Sequence, residues 1–277
     1  MSDVSSRYRD TYTEFAALLA YGIALIEAQA GHVASGDRQF YAERIFSKLV
    51  CHAITLKRLS PSPEPIGIPE LWDISSCYAI ARTLIETYEA LAYVALDSIS
   101  EEEQSFRILL WKLHAEERRR EMLRLIGSNH PDVPNVDIRV VSLCNQLLAH
   151  PFLNTVGTDL QRKIRRGETP PYHLSRANRD AKIGINHEYH IAVTMHLSSH
   201  VHTHPFSVHQ LFEFQAGNEE CLRLMSVPLQ YAAGFMAKSI SGMIDIFTPR
   251  VPSTTPEFLR TLDIWNALLL KGIKNSG

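Results

Sequence analysis

Several sequence patterns that mark large classes of proteins are missing from this chain. It contains neither of the glycine-rich phosphate-binding patterns, GxGxxG and GxxxxGK[ST], which excludes nucleotide binding by those loops. The HExxH motif of zinc metalloproteases is also missing. The cysteines are widely spaced and include no CxxC pair, which argues against a zinc knuckle or a disulfide scaffold. We expect all of them to be buried thiols: Cys51, Cys77, Cys144 and Cys221.

Long apolar runs and strand-like alternation are missing as well. The most apolar stretches begin at Phe15 and Pro228, but Glu27 interrupts the first, and Lys238 and Asp245 interrupt the second. Both fall short of the roughly 20 apolar residues that a membrane span needs, so we interpret them as buried helices. The N-terminal stretch, MSDVSSRYRDTYTEF, has no apolar segment of the signal-peptide kind. We therefore expect a soluble, cytoplasmic protein with no membrane partner.

The overall charge is nearly balanced. The chain has 277 residues, of which 45% are hydrophobic and 21% are charged, and its net charge is −2. These values are ordinary for a globular protein. With no basic field, nucleic acid is not indicated as a partner unless a local basic patch exists.

Helical signals dominate the sequence and predict an all-α fold, an irregular multi-helix bundle. Ser100 followed by three glutamates is a strong helix start, and Pro228 should kink or split the helix that contains it. We expect one domain, 1–277, with a loop-rich insertion at about 128–182. The predicted helices cover approximately 5–31, 38–59, 69–96, 100–127, 137–149, 155–165, 186–202, 207–214, 219–247 and 255–274.

Histidines are concentrated near the predicted helix 186–202. Seven of the 13 lie between His187 and His209. His196 and His200 are four residues apart and share one helix face, which suits two imidazoles on one divalent metal. Zinc would need a third ligand, and the nearest acids in sequence are Glu188 and Glu213. A metal site is therefore one alternative, and a frayed helix end rich in histidine is the other.

A second face of the same helix carries Ser199 and His202, with Tyr189 further towards the N-terminus. A serine and a histidine at this spacing suggest a nucleophile and its base. The alternative is that Ser199 is a small residue at a helix crossing, because catalytic serines usually sit on strained turns. We expect His202 to point into the fold.

An arginine and two glutamates occur inside the most apolar helix. Arg82 and Glu86 are four residues apart, and Glu89 follows one turn later. Their surroundings are mostly apolar, so we expect the pair to be partly buried and to need partners. The functional interpretation is a polar pocket in which Arg82 holds an anion and Glu86 acts as a base, opposite the histidine helix. The structural interpretation is an ion pair that fixes helix register.

These segments together resemble the DUF5677-like family of uncharacterised bacterial helical proteins. The resemblance rests on Arg82 and Glu86 in an RxxxE helix, and on Tyr189, Ser199 and His202 at a later helix end. It covers about residues 69–214. It implies an all-helical fold and the same choice of residues, and it implies no established activity.

The HEPN class of helical ribonucleases is a neighbouring possibility, marked by an arginine and a histidine separated by four to six residues. Three pairs fit: Arg107 with His114, Arg124 with His130, and Arg166 with His173. Random placement would give as many, and none lies in the histidine-rich helix.

The sequence thus predicts a small-ligand-binding or regulatory module for an anionic or polar ligand. Its pocket would combine Arg82, Glu86, Ser199 and His202, with Tyr189 and Glu89 as further ligand-binding residues. The alternatives are a metal-dependent hydrolase that uses His196 and His200, an HEPN-like ribonuclease, and a structural protein that forms homo-oligomers.

Overall fold

The computed structural model describes residues 3–63, 72–212, 214, 218–248 and 250–272. All regular structure in these ranges is helical, which confirms the predicted all-α, multi-helix fold. A π-helical segment, Ala92–Leu96, extends the third helix, and Pro151–Thr155 forms a 3-10 helix. The α-helices are α1 (Asp3–Ala28), α2 (Asp37–Leu59), α3 (Ile74–Leu91), α4 (Glu101–Leu125), α5 (Val133–Leu148), α6 (Thr158–Arg166), α7 (Arg176–Ile183), α8 (His187–Val201), α9 (Pro205–Phe212), α10 (Glu219–Phe247) and α11 (Pro256–Lys271).

Polar capping residues define four of the ten predicted helix starts. The side chains of Ser100, Asn186, Asn218 and Thr255 each accept a hydrogen bond from the backbone N–H three residues later. Such a bond satisfies one of the amide groups that a helix start leaves without a partner. The capping signals in the sequence were therefore reliable at these four ends.

Three predictions about where helices begin or break were wrong or fall outside the described residues. The first helix is already formed at Asp3, ahead of the predicted start at residue 5. Asp73 caps α3, so Trp72 and Asp73 are not helical, and the predicted start at Pro69 lies outside the described residues. Pro228 does not split α10, which continues through it as one helix.

The middle of the chain is more helical than predicted. The loop-rich insertion expected at 128–182 contains α5, α6 and most of α7. α7 was not predicted at all, although Ser175 caps its start and Gly184, with φ of 62°, ends it. Both are ordinary helix-boundary signals, but the helix between them has little apolar periodicity.

The main core lies between α1, α2, α3, α8, α10 and α11. α10 is the central helix and packs against α1, α3 and α11. Two glycines allow close approach: a Cβ at Gly22 would lie 2.5 Å from Met236 Cε, and one at Gly234 would lie 2.8 Å from Leu269 Cγ. Within the described ranges, every helix is too short or too polar to cross a bilayer.

The cysteines do not share one environment. Cys77 and Cys221 are buried and Cys144 is half-buried, but Cys51 is exposed. The expectation of four buried thiols was therefore wrong for Cys51, which lies on the outward face of α2.

A second, smaller apolar cluster joins α4, α5, α6 and the 3-10 helix. A buried arginine lies beside it, where α4 meets the π-helical segment. Arg107 is fully buried, with Nη1 2.6 Å from Asp97 Oδ2 and Nη2 2.6 Å from Glu103 Oε1. Its guanidinium also lies 4.4 Å from the centre of the Tyr93 ring and donates to the Tyr93 carbonyl. Arg107 thus anchors α4 to the π-helical segment.

Replacing Arg107 with methionine should destabilise the protein. The change leaves the buried Asp97 carboxylate and the half-buried Glu103 carboxylate without their cation. Removing one partner of a buried ion pair costs about 3 to 5 kcal/mol in other proteins. Urea unfolding measures the free energy, and Arg118→Met, at an exposed position of the same helix, is the control. A change in Arg107→Met no larger than the control's, about 0.5 kcal/mol or less, would contradict this role.

Candidate functional site

α8 carries two polar regions on different faces. One face packs against α3 and holds His190, and another borders a cavity next to α10. The histidine helix therefore does meet the helix of Arg82, Glu86 and Glu89, as the sequence suggested. Of the predicted residues of that helix, Glu89 is the one that meets α8, and its partner there is His190, which was not predicted.

The contact with α3 is a buried cluster of ions around His190. The His190 side chain is fully buried, and its Nδ1 lies 2.7 Å from Asp180 Oδ1 on α7. Its Nε2 lies 3.0 Å from Glu89 Oε1 on α3, an ion-pair contact whose angles are poor for a hydrogen bond. The other Asp180 oxygen is 2.6 Å from Nδ1 of the half-exposed His187.

Two arginines of α7 complete the charge balance. Arg179 Nη2 is 3.0 Å from Glu89 Oε2, and Arg176 Nη2 is 3.5 Å from Glu89 Oε1. The Arg179 guanidinium lies 4.0 Å from the centre of the Tyr172 ring. We call Glu89, Arg176, Arg179, Asp180, His187 and His190 the His190 cluster. It ties together α3, α7 and α8.

Electrostatics favour the charged forms in this cluster. Burial alone would lower the pKa of His190, but the carboxylates of Asp180 and Glu89 outweigh it and raise that pKa. Burial alone would raise the pKa of Glu89, but His190, Arg176 and Arg179 lower it to about 2. The two carboxylates on either side of His190 therefore favour its imidazolium form. In a catalytic triad one imidazole nitrogen faces a carboxylate and the other faces the nucleophile. Here both nitrogens of His190 face carboxylates, so the arrangement holds three helices together by ion pairs, and we call it an ionic clamp.

The cavity lies between α1, α8 and α10 and has a volume of about 630 Å³. This size is typical of small-molecule sites. Its walls combine aromatic, apolar and polar side chains: Val4, Arg7, Tyr189, Ala192, Val193, His196, Arg223, Ser226, Val227, Gln230 and Tyr231.

The two tyrosines and the histidine that line the cavity favour their neutral forms. Burial raises the pKa values of Tyr189 and Tyr231, so both phenols keep their protons, and their ring centres are 6.1 Å apart. Burial and the neighbouring His200 lower the pKa of His196. The charges belong to Arg7 and Arg223, which pair with Asp3 at 2.8 Å and with Glu220 at 2.5 Å.

The Arg82–Glu86 pair forms, but it is not buried as expected. Arg82 Nη2 lies 2.6 Å from Glu86 Oε1, yet the Glu86 side chain is 52% exposed. The prediction of a partly buried pair was wrong for Glu86, because its position on α3 faces solvent. The buried carboxylate of this helix is Glu89, which was predicted as a ligand-binding residue and serves in the His190 cluster instead.

Ser199 and His202 do not form a site with that pair. The Ser199 hydroxyl is buried and donates to the His196 carbonyl at 2.7 Å. His202 is exposed, so the expectation that it points into the fold was wrong. The reason is that α8 ends at Val201, which leaves His202 beyond the last turn.

His196 and His200 pack against Tyr78 of α3, with ring centres 5.1 and 4.2 Å away. His200 Nε2 is 3.0 Å from Gln210 Oε1. In the part of the chain that the structure describes, no three His, Cys, Asp or Glu side chains are arranged to hold a metal ion. Glu213, one of the two acids considered as a third ligand, lies outside that part. The described residues therefore do not support the predicted metal site.

Of the three arginine–histidine pairs that fit the HEPN spacing, Arg107 and His114 are both engaged in contacts within the protein. Arg107 is enclosed by acids, and His114 Nδ1 is 2.7 Å from the Thr169 carbonyl oxygen. A Ser105–His150 contact of 2.9 Å also fails as a nucleophile and base. His150 Nδ1 accepts a hydrogen bond from the Phe152 amide, so Nε2 carries the proton and cannot take one from serine.

Sequence reasoning missed Arg176, Arg179 and Asp180, and it did not distinguish His190 from the other histidines. The Ser175 cap and Gly184 could have revealed α7. No local pattern could have shown that Asp180 and Glu89 meet on opposite sides of one imidazole, since they are 91 residues apart.

Replacing His190 with glutamine should destabilise the protein in a pH-dependent way. Because the pKa of His190 is raised in the folded state, its imidazolium stabilises the folded protein fully below the unfolded-state pKa of about 6.5. This contribution is lost as the pH rises through the folded-state pKa. Below the usual pKa range of a carboxyl group, Glu89 loses its own contribution to the stability of the folded state as the pH falls towards its pKa of about 2. The difference in unfolding free energy from wild type should therefore be largest near about pH 5 to 6, at about 3 kcal/mol or more. Urea unfolding between about pH 5 and 9 measures it, and a difference that does not change with pH would contradict the clamp.

Comparison with protein-family models, with curated proteins and with solved structures gave no match. The resemblance to the DUF5677-like family stays a prediction.

Proposed function

We propose that the protein binds a small organic anion or polar molecule in the cavity between α1, α8 and α10. The observation that carries this proposal is a cavity of about 630 Å³ in which neutral hydrogen-bond donors line the walls and arginines stand among them. Pockets of this kind, mostly apolar with a few convergent polar groups, are the usual form of small-molecule sites.

The two phenols favour a ligand that offers acceptor atoms. Neither the Tyr189 nor the Tyr231 hydroxyl hydrogen-bonds to another described residue, and both keep their protons because burial raises their pKa values. A protonated phenol beside a carboxylate or phosphate oxygen can donate a charge-assisted hydrogen bond, which is stronger than a neutral one.

The arginines favour a negative charge on that ligand. Arg7 and Arg223 pair with acids on exposed helix surfaces, at spacings of four and three residues. Such pairs are worth only a few tenths of a kcal/mol in other helices. A ligand anion in the cavity can therefore replace the acid partner of either arginine at a small cost in free energy.

This proposal retains part of the predicted pocket. Tyr189 and His196 line the cavity, while Arg82, Glu86, Ser199 and His202 do not. No observation in the described residues favours the metal-dependent hydrolase or the ribonuclease. A regulatory role, a cytoplasmic location and homo-oligomer formation stay predictions.

Filling the cavity should weaken the binding of an amphipathic anion. Ala192 lines the cavity and is exposed, so Ala192→Trp adds bulk there without disturbing the core. Titration with anilinonaphthalene sulfonate, followed by its fluorescence, should give a Kd at least about tenfold weaker than in wild type, a loss of about 1.4 kcal/mol.

Met195→Trp is the matched control, because Met195 lies on the same helix, is 69% exposed and does not line the cavity. It should bind the dye as wild type does. Equal affinity in all three proteins would show that the dye binds elsewhere, and it would count against the cavity as the site.

A further inference from the structure

We propose that His190 is a positioning residue for the cavity: by clamping the first turn of α8 it places Tyr189, and releasing the clamp weakens the binding of an organic anion. This inference rests on the proposed function of the cavity. It adds a means by which proton concentration regulates that site.

The argument begins with the order of residues in one helical turn. His187, Tyr189 and His190 all lie at the start of α8. Asp180 holds both histidines, at 2.6 and 2.7 Å. Tyr189 stands between them in sequence and faces the cavity instead. Its backbone therefore cannot move unless the contacts to Asp180 move as well.

The other side of this turn is held by the end of α11. The Asn186 amide, directly before α8, donates to the Leu269 carbonyl at 2.9 Å. A Cβ built on Gly272 would lie 3.2 Å from Tyr189 Cβ, so the two backbones are close. Tyr189 is thus set between a neutral contact with α11 and the charged contact at Asp180. Only the charged contact responds to pH.

The groups around His190 come from four helices and from the segment before α7. α3 supplies Glu89 and Tyr88, and α7 supplies Asp180, Arg179 and Arg176. His187 belongs to α8 itself, and the segment before α7 adds Tyr172. α10 adds the Phe235 ring, 5.4 Å from the imidazole, and one turn further on Lys238 donates to the Ile183 carbonyl.

Between about pH 6.5 and 9 the groups of the cavity wall keep their state. Burial keeps the phenols of Tyr189 and Tyr231 protonated, and it keeps His196 neutral, because it raises the first two pKa values and lowers the third. His190 differs, since two carboxylates favour its charged form and raise its pKa. In a neutral imidazole one ring nitrogen carries a lone pair instead of a proton. That nitrogen then faces the negative oxygen of Glu89 or Asp180, and the contact is repulsive.

Anilinonaphthalene sulfonate is a suitable probe because its sulfonate stays ionised in this range. In wild type its Kd should weaken by about fivefold or more as His190 loses its proton, which is the lower end of usual couplings between sites. In His190→Gln the Kd should be independent of pH and close to the high-pH value of wild type. His187→Gln, which removes the half-exposed contact to Asp180, should keep the pH dependence.

Three results would overturn the inference: a flat profile in wild type, an unchanged profile in His190→Gln, or loss of the pH dependence in His187→Gln alone. Failure of the cavity itself looks different. In that case Ala192→Trp binds the dye as tightly as wild type at every pH, whatever the histidine variants do.

A measurement on wild type alone covers the case in which His190→Gln does not fold. Coupling between two sites is reciprocal, so bound dye must raise the pKa of His190 by the logarithm of the same factor. A fivefold coupling corresponds to a rise of about 0.7 pH units. Nitrogen NMR of histidine-labelled protein, with and without saturating dye, measures it. An unchanged His190 pKa would overturn the inference.

Discussion

An imidazole with no solvent exposure, enclosed between two carboxylates, is the constraint on which the central part of this structure depends. Burying ions costs several kcal/mol each unless every charge has a partner. His190 therefore obliges α3, α7 and α8 to keep one register, in which Glu89 and Asp180 both reach it. Apolar packing is non-directional and would permit neighbouring registers. The cluster thus adds specificity to a core whose stability comes mainly from hydrophobic burial.

The same logic recurs where α4 meets the π-helical segment. Arg107 is as buried as His190, and its acid partners, Asp97 and Glu103, flank the start of α4. Burial raises the pKa of Asp97 against the effect of Arg107, so the arginine is what permits a carboxylate there. The His190 cluster joins helices that are distant in the chain, whereas Arg107 joins α4 to the π-helical segment directly before it. Both use a planar cation that can contact two carboxylates at once.

The sequence predicted the fold class and most helix starts because caps and apolar periodicity act locally. Ser100 and Asn186 satisfy backbone amides three residues away, whatever the rest of the chain does. The site depends on contacts between distant residues, so it was predicted only in outline. The Arg–Glu helix does face the histidine helix, but through Glu89 and His190. His202 was wrongly predicted to be buried because the helix was expected to include it. α8 ends one residue earlier, and the His202 side chain is therefore exposed to solvent. α7 was missed because five of its eight residues are polar and it has little apolar periodicity, and its partners could be recognised only in three dimensions.

A charged His190 links the clamp, the register of three helices and the placement of Tyr189. The most direct test is the protonation state of this one side chain in the ligand-free wild-type protein at neutral pH. Nitrogen NMR distinguishes a doubly protonated imidazolium from either neutral tautomer. The account predicts an imidazolium for His190 at pH 7, where an ordinary histidine, with a pKa of about 6.5, is mostly neutral. A neutral His190 under the same conditions would contradict it.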